Sequence, residues 1–253
     1  MSATAKTVAA FLAALLLASP ATAGDLKFAT EPLPPFVQDD QGAATGPLVE
    51  VVEAVCQAAG LACSVTLMPW RRTLFAADSG EVDGLFPMLP TPERQRKYQL
   101  TPPVVRTSYS FLVPEDSTWT FTNPGSLEGR TVAVYGPSGS SSVIEDIAAT
   151  IPGTRIELEV SNEGMLRKLA GGRYGATGTG FANRDTAQSI MRQDGIAGIR
   201  LAGDAREVVY AIALSRKTVP EATARQFTAA LAALKASGAI RAILARHHLQ
   251  SAP

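Results

Sequence analysis

Short apolar strands alternate with amphipathic helices along almost the whole chain. The segment Leu26–Thr30 is typical of a strand, and the helix between Pro47 and Gly60 carries its apolar residues on one face. The next strand, Cys63–Leu67, alternates apolar and polar residues, and the succession continues to a last helix that contains Leu244. Strands that alternate with helices predict an α/β fold, in which helices cover both faces of a mostly parallel sheet.

The first 23 residues have the parts of an export signal. Lys6 provides a positive charge, residues 8–18 are apolar, and Ala21–Ala23 fits the small-residue pattern before a cleavage site. The apolar run is shorter than the roughly 18 to 20 residues that a membrane-spanning helix needs. We therefore predict a signal peptide over 1–23 and export of a mature chain, free in the periplasm and not membrane-embedded, that begins at Gly24.

Two cysteines, Cys56 and Cys63, agree with this placement. They are close in sequence, and an oxidising compartment would join them. A metal site needs more ligands than two thiols, and no neighbouring side chain supplies them. We predict a structural disulfide, no metal and no other cofactor.

The charge balance disfavours nucleic acid as a partner. The chain has 23 Lys and Arg residues and 23 Asp and Glu residues, so its formal net charge is zero at pH 7. No basic stripe or arginine-rich arm interrupts this balance. A chain of this length is able to bury a good core, as one large domain or as two small lobes.

A series of short motifs follows an order and spacing that together resemble one family. The motifs are Pro34–Phe36, Gly46–Glu50, Gly80–Asp83, Thr91–Arg94, Leu127–Val134, Gly172–Arg173 and Tyr210–Ala213. They resemble the extracellular solute-binding proteins of family 3, the polar-amino-acid receptors of ABC importers. Met68–Arg72 is similar to the subset of these proteins whose ligands are often unassigned.

The resemblance implies a two-lobed, periplasmic binding protein-like fold of type II. Lobe 1 would comprise 24–107 and 211–253, lobe 2 would comprise 112–205, and the hinge would comprise 108–111 and 206–210. A small molecule would bind in the cleft, and the lobes would close over it by hinge motion. The resemblance also implies a monomeric receptor with no catalytic activity that delivers its ligand to an ABC permease.

Arg94 is the first candidate for ligand binding. In the resembling proteins, the arginine of the Thr91–Arg94 motif binds the carboxylate of the ligand. A guanidinium forms two parallel hydrogen bonds with a carboxylate, which a lysine does not reproduce. The alternative is a surface arginine in the first turn of a helix, paired with Glu93 or another acid.

Trp70 and Phe36 are the candidate apolar walls, because the resembling proteins place aromatic rings around the ligand at these positions. Trp70 would offer a large rigid face with one hydrogen-bond donor. The alternative is that Phe36 fills the core and that Trp70 is a partly buried packing residue.

Ser138, Gly139 and Ser140 lie where a strand turns into a helix. Backbone N–H groups at the start of a helix favour an anion, so this turn would meet the carboxylate from lobe 2. The alternative is a serine cap that satisfies only its own helix. Met88 is a further candidate, since it lies where the resembling proteins carry a serine or threonine before the arginine motif.

One position departs from the family pattern. Amino-acid receptors of this family carry an acid in lobe 2 that pairs with the ammonium of the ligand, and this acid falls on Gly180 here. Burying an ammonium without a counter-charge is costly, so a carboxylate without an ammonium, or a larger ligand, fits better. Glu31 would supply a compensating acid or remain a solvated loop residue, and Thr179 would offer a hydroxyl.

Two rival functions remain at this stage. Gly136–Ser140 nearly imitates the nucleophile turn of a hydrolase, but the final glycine is missing and His247 or His248 would lie in the other lobe. The second rival is a receptor whose closed form binds a sensor kinase in place of an importer.

Overall fold

The predicted strands and helices are present, with two predicted strands joined into one. The structure is a computed structural model that describes residues 25–253, so the predicted signal peptide lies outside the described residues. The strands are β1 Leu26–Thr30, β2 Gln38–Asp40, β3 Ala43–Thr45, β4 Cys63–Leu67, β5 Gly84–Met88, β6 Tyr98–Leu100, β7 Val105–Pro114, β8 Thr131–Tyr135, β9 Arg155–Glu159, β10 Gly178–Asn183, β11 Ile199–Ser215 and β12 Gln250–Ser251. The helices are α1 Pro47–Ala59, α2 Trp70–Ser79, α3 Pro92–Lys97, α4 Gly139–Ala148, α5 Asn162–Ala170, α6 Arg184–Gln193, α7 Glu221–Ala236 and α8 Ala239–Arg246.

One hydrogen-bonded path of strands crosses the molecule in the order β4-β1-β5-β11-β7-β10-β8-β9. β1 is parallel to β4 and β5, and we call these three strands the first half-sheet. β8 is parallel to β9 and β10, and we call these three the second half-sheet. Each half-sheet thus has the parallel pairing that alternating strands and helices favour, which confirms the predicted α/β class.

Two long antiparallel strands join the half-sheets. β11 pairs with β7 from Ile199 to Tyr210 and then with β5 from Ala211 onward. The sequence predicts two separate strands here, near 199–202 and 207–214, but they form one strand of 17 residues. Shifts in register around Gly203 and Asp204 interrupt the apolar pattern without ending the strand, because a β-bulge adds a residue while pairing continues.

Aromatic rings fill the core on both sides of this crossing. Phe28 packs against Phe86 and Phe227 at ring-centre distances of 6.2 and 5.7 Å beside the first half-sheet. Phe111 packs against Phe181 at 4.9 Å beside the second half-sheet. Because close-packed aromatic cores resist deformation, the loops at the ends of these strands are held in fixed positions.

The predicted disulfide is present. Cys56 on α1 is bonded to Cys63, the first residue of β4, and no described cysteine is free. The bond fastens the helix that covers the first half-sheet to the edge strand of that half-sheet, so it supports the wall that carries the candidate residues.

Removal of this disulfide is expected to lower the free energy of unfolding by about 2 to 3 kcal/mol, the cost of closing so short a loop in the chain-entropy model. The double variant Cys56→Ser, Cys63→Ser is compared with the parent by chemical denaturation. Reduction of the parent should produce the same loss, and equal stability of all three samples would contradict the expectation.

No single helix among residues 25–253 is long and apolar enough to cross a membrane; α7 and α8 together pass a test of length and composition, but a 73° bend separates them.

Candidate ligand-binding cleft

A cleft lies between the ends of the two half-sheets. The space between its walls, counted together with the open mouth, measures about 470 Å³. The wall on the side of the first half-sheet consists of Glu31, Leu33, Trp70, Pro87, Leu89 and Arg94. The opposite wall consists of Tyr135, Ser138, Gly139, Ser140 and Asn162, and the floor consists of Asn183 with Tyr109 and Tyr210 from the crossing strands. The cleft therefore brings together six of the nine ligand-binding candidates that the sequence predicts.

Arg94 reaches the cleft from the first turn of α3. Thr91 caps this helix by accepting a hydrogen bond from the Arg94 backbone N–H at 3.2 Å, which orients the side chain. The guanidinium donates to the Leu89 carbonyl at 3.1 Å, and it forms no salt bridge among residues 25–253. Glu93 pairs instead with Lys97 at 3.7 Å, so the alternative of an Arg94–Glu93 pair is wrong.

Burial lowers the pKa of Arg94, because desolvation disfavours its positive charge. The charge is nevertheless kept, since an arginine does not lose its proton in proteins. A buried cation without a carboxylate partner is costly, and an anionic ligand in the cleft would offset this cost.

Glu31 and Tyr135 connect the two walls. The Tyr135 hydroxyl donates to Glu31 Oε2 at 2.9 Å, from the end of β8 to the loop after β1. Desolvation raises the pKa of Glu31 to about 7, against the opposing effect of hydrogen bonds from Tyr135 and from the Trp70 backbone N–H. Glu31 is thus the one acidic side chain among the described residues that line the cleft, and it is not the solvated loop residue of the sequence alternative.

Trp70 forms part of the same wall at the start of α2. Its residue is 4 % exposed, and it packs with Ala29, Leu85 and Met88 in a cluster behind the cleft. The indole therefore lines the cleft with one part and supports the wall with another, and its contact with a ligand stays a prediction.

The turn before α4 approaches the cleft from the second half-sheet. Ser138 caps α4: its Oγ accepts from the Ser141 N–H at 3.2 Å and donates to the Tyr135 carbonyl at 2.6 Å. A Cβ on Gly139 would lie 2.8 Å from Tyr109 Oη and 3.3 Å from Leu89. The absence of a side chain at 139 thus lets the opposite walls touch at this point.

Three predicted contacts lie outside the cleft. Phe36 is 0 % exposed and packs edge-on against the Tyr210 ring at 5.7 Å, so it supports the cleft from behind. Met88 is 0 % exposed within the cluster behind Trp70. Thr179 is equally buried, and its hydroxyl donates to the Leu112 carbonyl at 2.8 Å. These three predictions fail because each side chain points from its strand or loop into the core.

Gly180 also faces away from the cleft. A Cβ at this position would lie 2.6 Å from the Met165 sulfur, on the side of β10 that α5 covers. Successive strand residues point to opposite faces, so the residue of β10 that reaches the cleft is Asn183, three positions later. Gly180 is therefore not the position that would present an acid to the ligand, and Asn183, which does reach the cleft, carries an amide in place of that acid.

Sequence reasoning missed Tyr109, Tyr210 and Asn183, which form the floor of the cleft. Tyr109 and Tyr210 lie on the two crossing strands, and Asn183 caps α6 by accepting from the Thr186 N–H at 3.1 Å. The Ser- and Tyr-rich composition of β7 and the Asn at a helix start were available signals. Neither indicates which strand face meets the cleft.

The hydrolase alternative lacks its base. His247 lies 2.8 Å from a carboxylate oxygen of Glu50 on α1, and neither it nor His248 lines the cleft. Among residues 25–253, no group of three or more His, Cys, Asp or Glu side chains is placed to hold a metal ion.

The half-sheets and the cleft between them are those of a periplasmic binding protein, which confirms the predicted fold class. The chain belongs to the bacterial extracellular solute-binding proteins, family 3, whose model matches residues 26–250. This is a family of solute-binding, not catalytic, proteins.

A curated relative and several solved structures are similar to the chain. The probable amino-acid-binding protein YxeM of Bacillus subtilis (strain 168) is 26 % identical over 179 residues, which are 70 % of this chain and 64 % of the relative. The chain thus matches less than two thirds of the length of that relative.

A histidine kinase sensor domain with similarity to periplasmic binding proteins has a TM-score of 0.79 at 21 % identity, over 91 % of this chain and 99 % of that one. An ancestral arginine-binding protein bound to arginine has a TM-score of 0.77 at 20 % identity, over 89 % and 98 %. The arginine-, lysine-, histidine-binding protein ArtJ of Geobacillus stearothermophilus has a TM-score of 0.72 at 20 % identity, over 87 % and 93 %. At these sequence identities, the similarities to solved structures establish the fold of the chain and no more.

Proposed function

We propose that this protein is a periplasmic receptor that captures a small carboxylate-bearing molecule, an amino acid or another organic acid. One observation carries the proposal: the Arg94 guanidinium lines the cleft without a salt bridge among residues 25–253. The N-terminus of α4, a helix of ten residues, faces the same space from the other wall. A guanidinium and a helix N-terminus both favour an anion, so a carboxylate bound between them would contact both walls.

Contact with both walls would couple binding to closure. Lobe 1 then comprises 24–107 and 211–253, and lobe 2 comprises 112–205. The hinge lies at 108–111 and 206–210, where β7 and β11 pass between the half-sheets. Hinges of this kind absorb domain closure within a few residues of the connecting strands. The Glu31–Tyr135 hydrogen bond and the approach of Leu89 to Gly139 are contacts that exist only when the walls are together.

Gly139→Ala tests closure. The added Cβ would lie 2.8 Å from Tyr109 Oη and 3.3 Å from Leu89, so it opposes the closed arrangement and leaves an open one unaffected. We expect about tenfold or greater loss of affinity for a compound that stabilises the parent, with an unchanged melting temperature without ligand. Gly171→Ala is the control, because its Cβ would meet its nearest atom at an ordinary 3.4 Å. Equal affinity in all three proteins would contradict the proposed closure.

The ligand class follows from the two charges in the cleft. Arg94 would bind a carboxylate, and Glu31 would meet an ammonium, guanidinium or hydroxyl group at another part of the same molecule. Glu31 is the acid in the described lining that would balance an ammonium, at a part of the ligand away from Arg94. The relatives of similar sequence or fold include a probable amino-acid-binding protein of Bacillus and an arginine-binding protein, which supports an amino-acid ligand.

A thermal-shift screen of the mature protein tests the proposal. The panel contains L-arginine, L-glutamine, L-glutamate, glycine, pyruvate, lactate and succinate, with methylammonium and glucose as compounds without a carboxylate. A ligand at a hundred times its dissociation constant adds about 2.7 kcal/mol of stability, which raises the melting temperature by roughly 5 to 10 °C at this chain length. Shifts confined to carboxylates support the proposal; a response to none of them, or to glucose alone, contradicts it.

Delivery to an ABC importer is the second part of the proposal, with a signalling receptor as the alternative. The solved structures of similar fold include both a sensor domain of a histidine kinase and a binding protein of an amino-acid ABC transporter. Uptake of the radiolabelled screen hit by cells that lack the gene separates the two roles. Import predicts that uptake falls to background, whereas signalling predicts normal uptake.

A further inference from the structure

A chain of hydrogen bonds runs through the floor of the cleft, and one backbone donor determines the orientation of the amide at its start. The Thr186 N–H donates to Asn183 Oδ1 at 3.1 Å, so the Asn183 amide must present its nitrogen to the other side. This nitrogen donates to Thr107 Oγ1 at 3.0 Å and to Tyr210 Oη at 3.2 Å, which uses both of its protons. The orientation of the Asn183 amide is thus fixed by the Thr186 backbone N–H, because a backbone N–H is only able to donate.

The bond between the two phenols takes its direction from their geometry, because either hydroxyl is able to donate or to accept. Tyr210 Oη accepts the Asn183 proton and directs its own proton to Tyr109 Oη at 3.1 Å. Among residues 25–253, Tyr109 Oη has no hydrogen-bond partner other than Tyr210, and therefore its own proton has no acceptor. Tyr109 is 2 % exposed and lines the cleft, so this is a buried donor aimed into the space where the ligand would lie.

Tyr109 Oη lies beside both parts of the anion site. It is 2.8 Å from the position that a Cβ of Gly139 would occupy, at the start of α4. The positive charge of Arg94 acts on both phenols from the other wall. A carboxylate between Arg94 and α4 is therefore within reach of the free proton of Tyr109.

We propose that Tyr109 is a ligand-binding residue that donates its phenolic proton to the carboxylate bound by Arg94, and that Asn183 is a positioning residue that fixes this polarity through Tyr210. The inference rests on the proposed function and adds a residue and a direction to it. An aspartate in place of Asn183 would accept from Tyr210, Tyr109 would then donate to Tyr210, and an oxygen lone pair would face the carboxylate. The neutral amide at 183 thus selects an anion at the floor of the cleft.

Acetate, the smallest carboxylate with a methyl group, is the probe. Its binding is followed by the indole N–H resonance of Trp70, with Trp119, which does not line the cleft, as the internal reference. Tyr109→Phe is expected to weaken acetate binding about tenfold or more, because it removes a hydrogen bond to a charged group. Asn183→Asp is expected to weaken it at least as much, whereas Tyr210→Phe, which leaves the Tyr109 proton free, changes it less than threefold (about 0.6 kcal/mol of binding free energy).

The dependence of acetate binding on pH separates an effect on hydrogen-bond direction from an effect on the packing of the floor. As the pH is lowered from 8 to 5.5, the introduced carboxyl of Asn183→Asp takes up a proton and again donates to Tyr210. The ratio of its dissociation constant to that of the parent should therefore fall towards one. Tyr98→Phe is the control, because this phenol donates to Asp78 at 2.7 Å, outside the cleft, and should leave acetate binding unchanged.

The outcomes distinguish this inference from the proposed function. If Arg94→Ala abolishes acetate binding but Tyr109→Phe and Asn183→Asp bind like the parent, the inference is overturned and the receptor proposal stands. If Tyr210→Phe weakens binding as much as Tyr109→Phe, a packing role replaces the hydrogen-bond relay. If the parent does not bind acetate, the inference is overturned and the thermal-shift screen decides the receptor proposal. If Arg94→Ala binds acetate as well as the parent does, both proposals fail.

Discussion

Arg94→Ala is expected to lower affinity about a hundredfold or more for whichever carboxylate stabilises the parent protein. Removing one partner of a buried, hydrogen-bonded charge pair costs about 2 to 5 kcal/mol, because the other charge remains desolvated without its counter-ion. Arg94→Lys keeps the charge but not the two parallel hydrogen bonds, so we expect an intermediate loss. The measurement is isothermal titration calorimetry with the best compound of the screen.

The same variant should behave differently without ligand. Arg94 is a half-buried cation with one hydrogen bond to Leu89 and no salt bridge among residues 25–253, so its removal relieves a desolvation cost. We expect Arg94→Ala to melt at or above the temperature of the parent in the absence of ligand. Arg96→Ala is the matched control, an exposed arginine on the same helix, and should preserve binding. A variant that binds normally, or one that loses binding because it is unfolded, would contradict the role given to Arg94.

Glu31→Gln is expected to raise stability at alkaline pH. The pKa of Glu31 is about 7 in the folded protein and near its ordinary value of 4.5 in the unfolded chain, so between these values the folded state binds more protons. The stability of the parent therefore falls as the pH rises from about 4.5 to 7 and is level above this window. The expected loss is about 3 kcal/mol, and the glutamine variant does not incur it while still accepting from Tyr135.

Denaturation of parent and variant between pH 4 and pH 8.5 measures this difference directly. The two proteins should be equally stable near pH 4, and the variant should be more stable by the full amount at pH 8. Glu115→Gln, at an exposed position, is the control and should follow the parent throughout. A constant difference across the whole range would show that burial of Glu31 does not control its ionisation.

Ligand binding extends the same experiment. A ligand whose ammonium or guanidinium meets Glu31 would lower the pKa of this carboxyl, so binding near pH 6.5 would release protons. A simple carboxylate would release none. Calorimetry in two buffers of different ionisation enthalpy counts these protons, and the release should disappear in Glu31→Gln.

Local patterns in the sequence determined much of this protein. The apolar face and the Pro and Gly ends define α1, the threonine cap sets the first turn that carries Arg94, and close spacing pairs Cys56 with Cys63. The family motifs then located one wall of the cleft through Arg94 and Trp70. Each of these features depends on interactions within a few residues, which explains why the order of residues is sufficient to predict them.

Only the tertiary structure decided which face of each strand meets the cleft. The alternation of side chains along a strand predicts that Gly180 and Asn183 point to opposite sides of the sheet. It does not predict which side is which: α5 covers the side of Gly180, and the cleft opens on the side of Asn183. The same packing turns Phe36, Met88 and Thr179 into the core and brings Tyr109 and Tyr210, 101 residues apart, to within 3.1 Å. These placements depend on contacts between distant segments, and the physical cause is burial: each strand presents to the core the face that its covering helix fits.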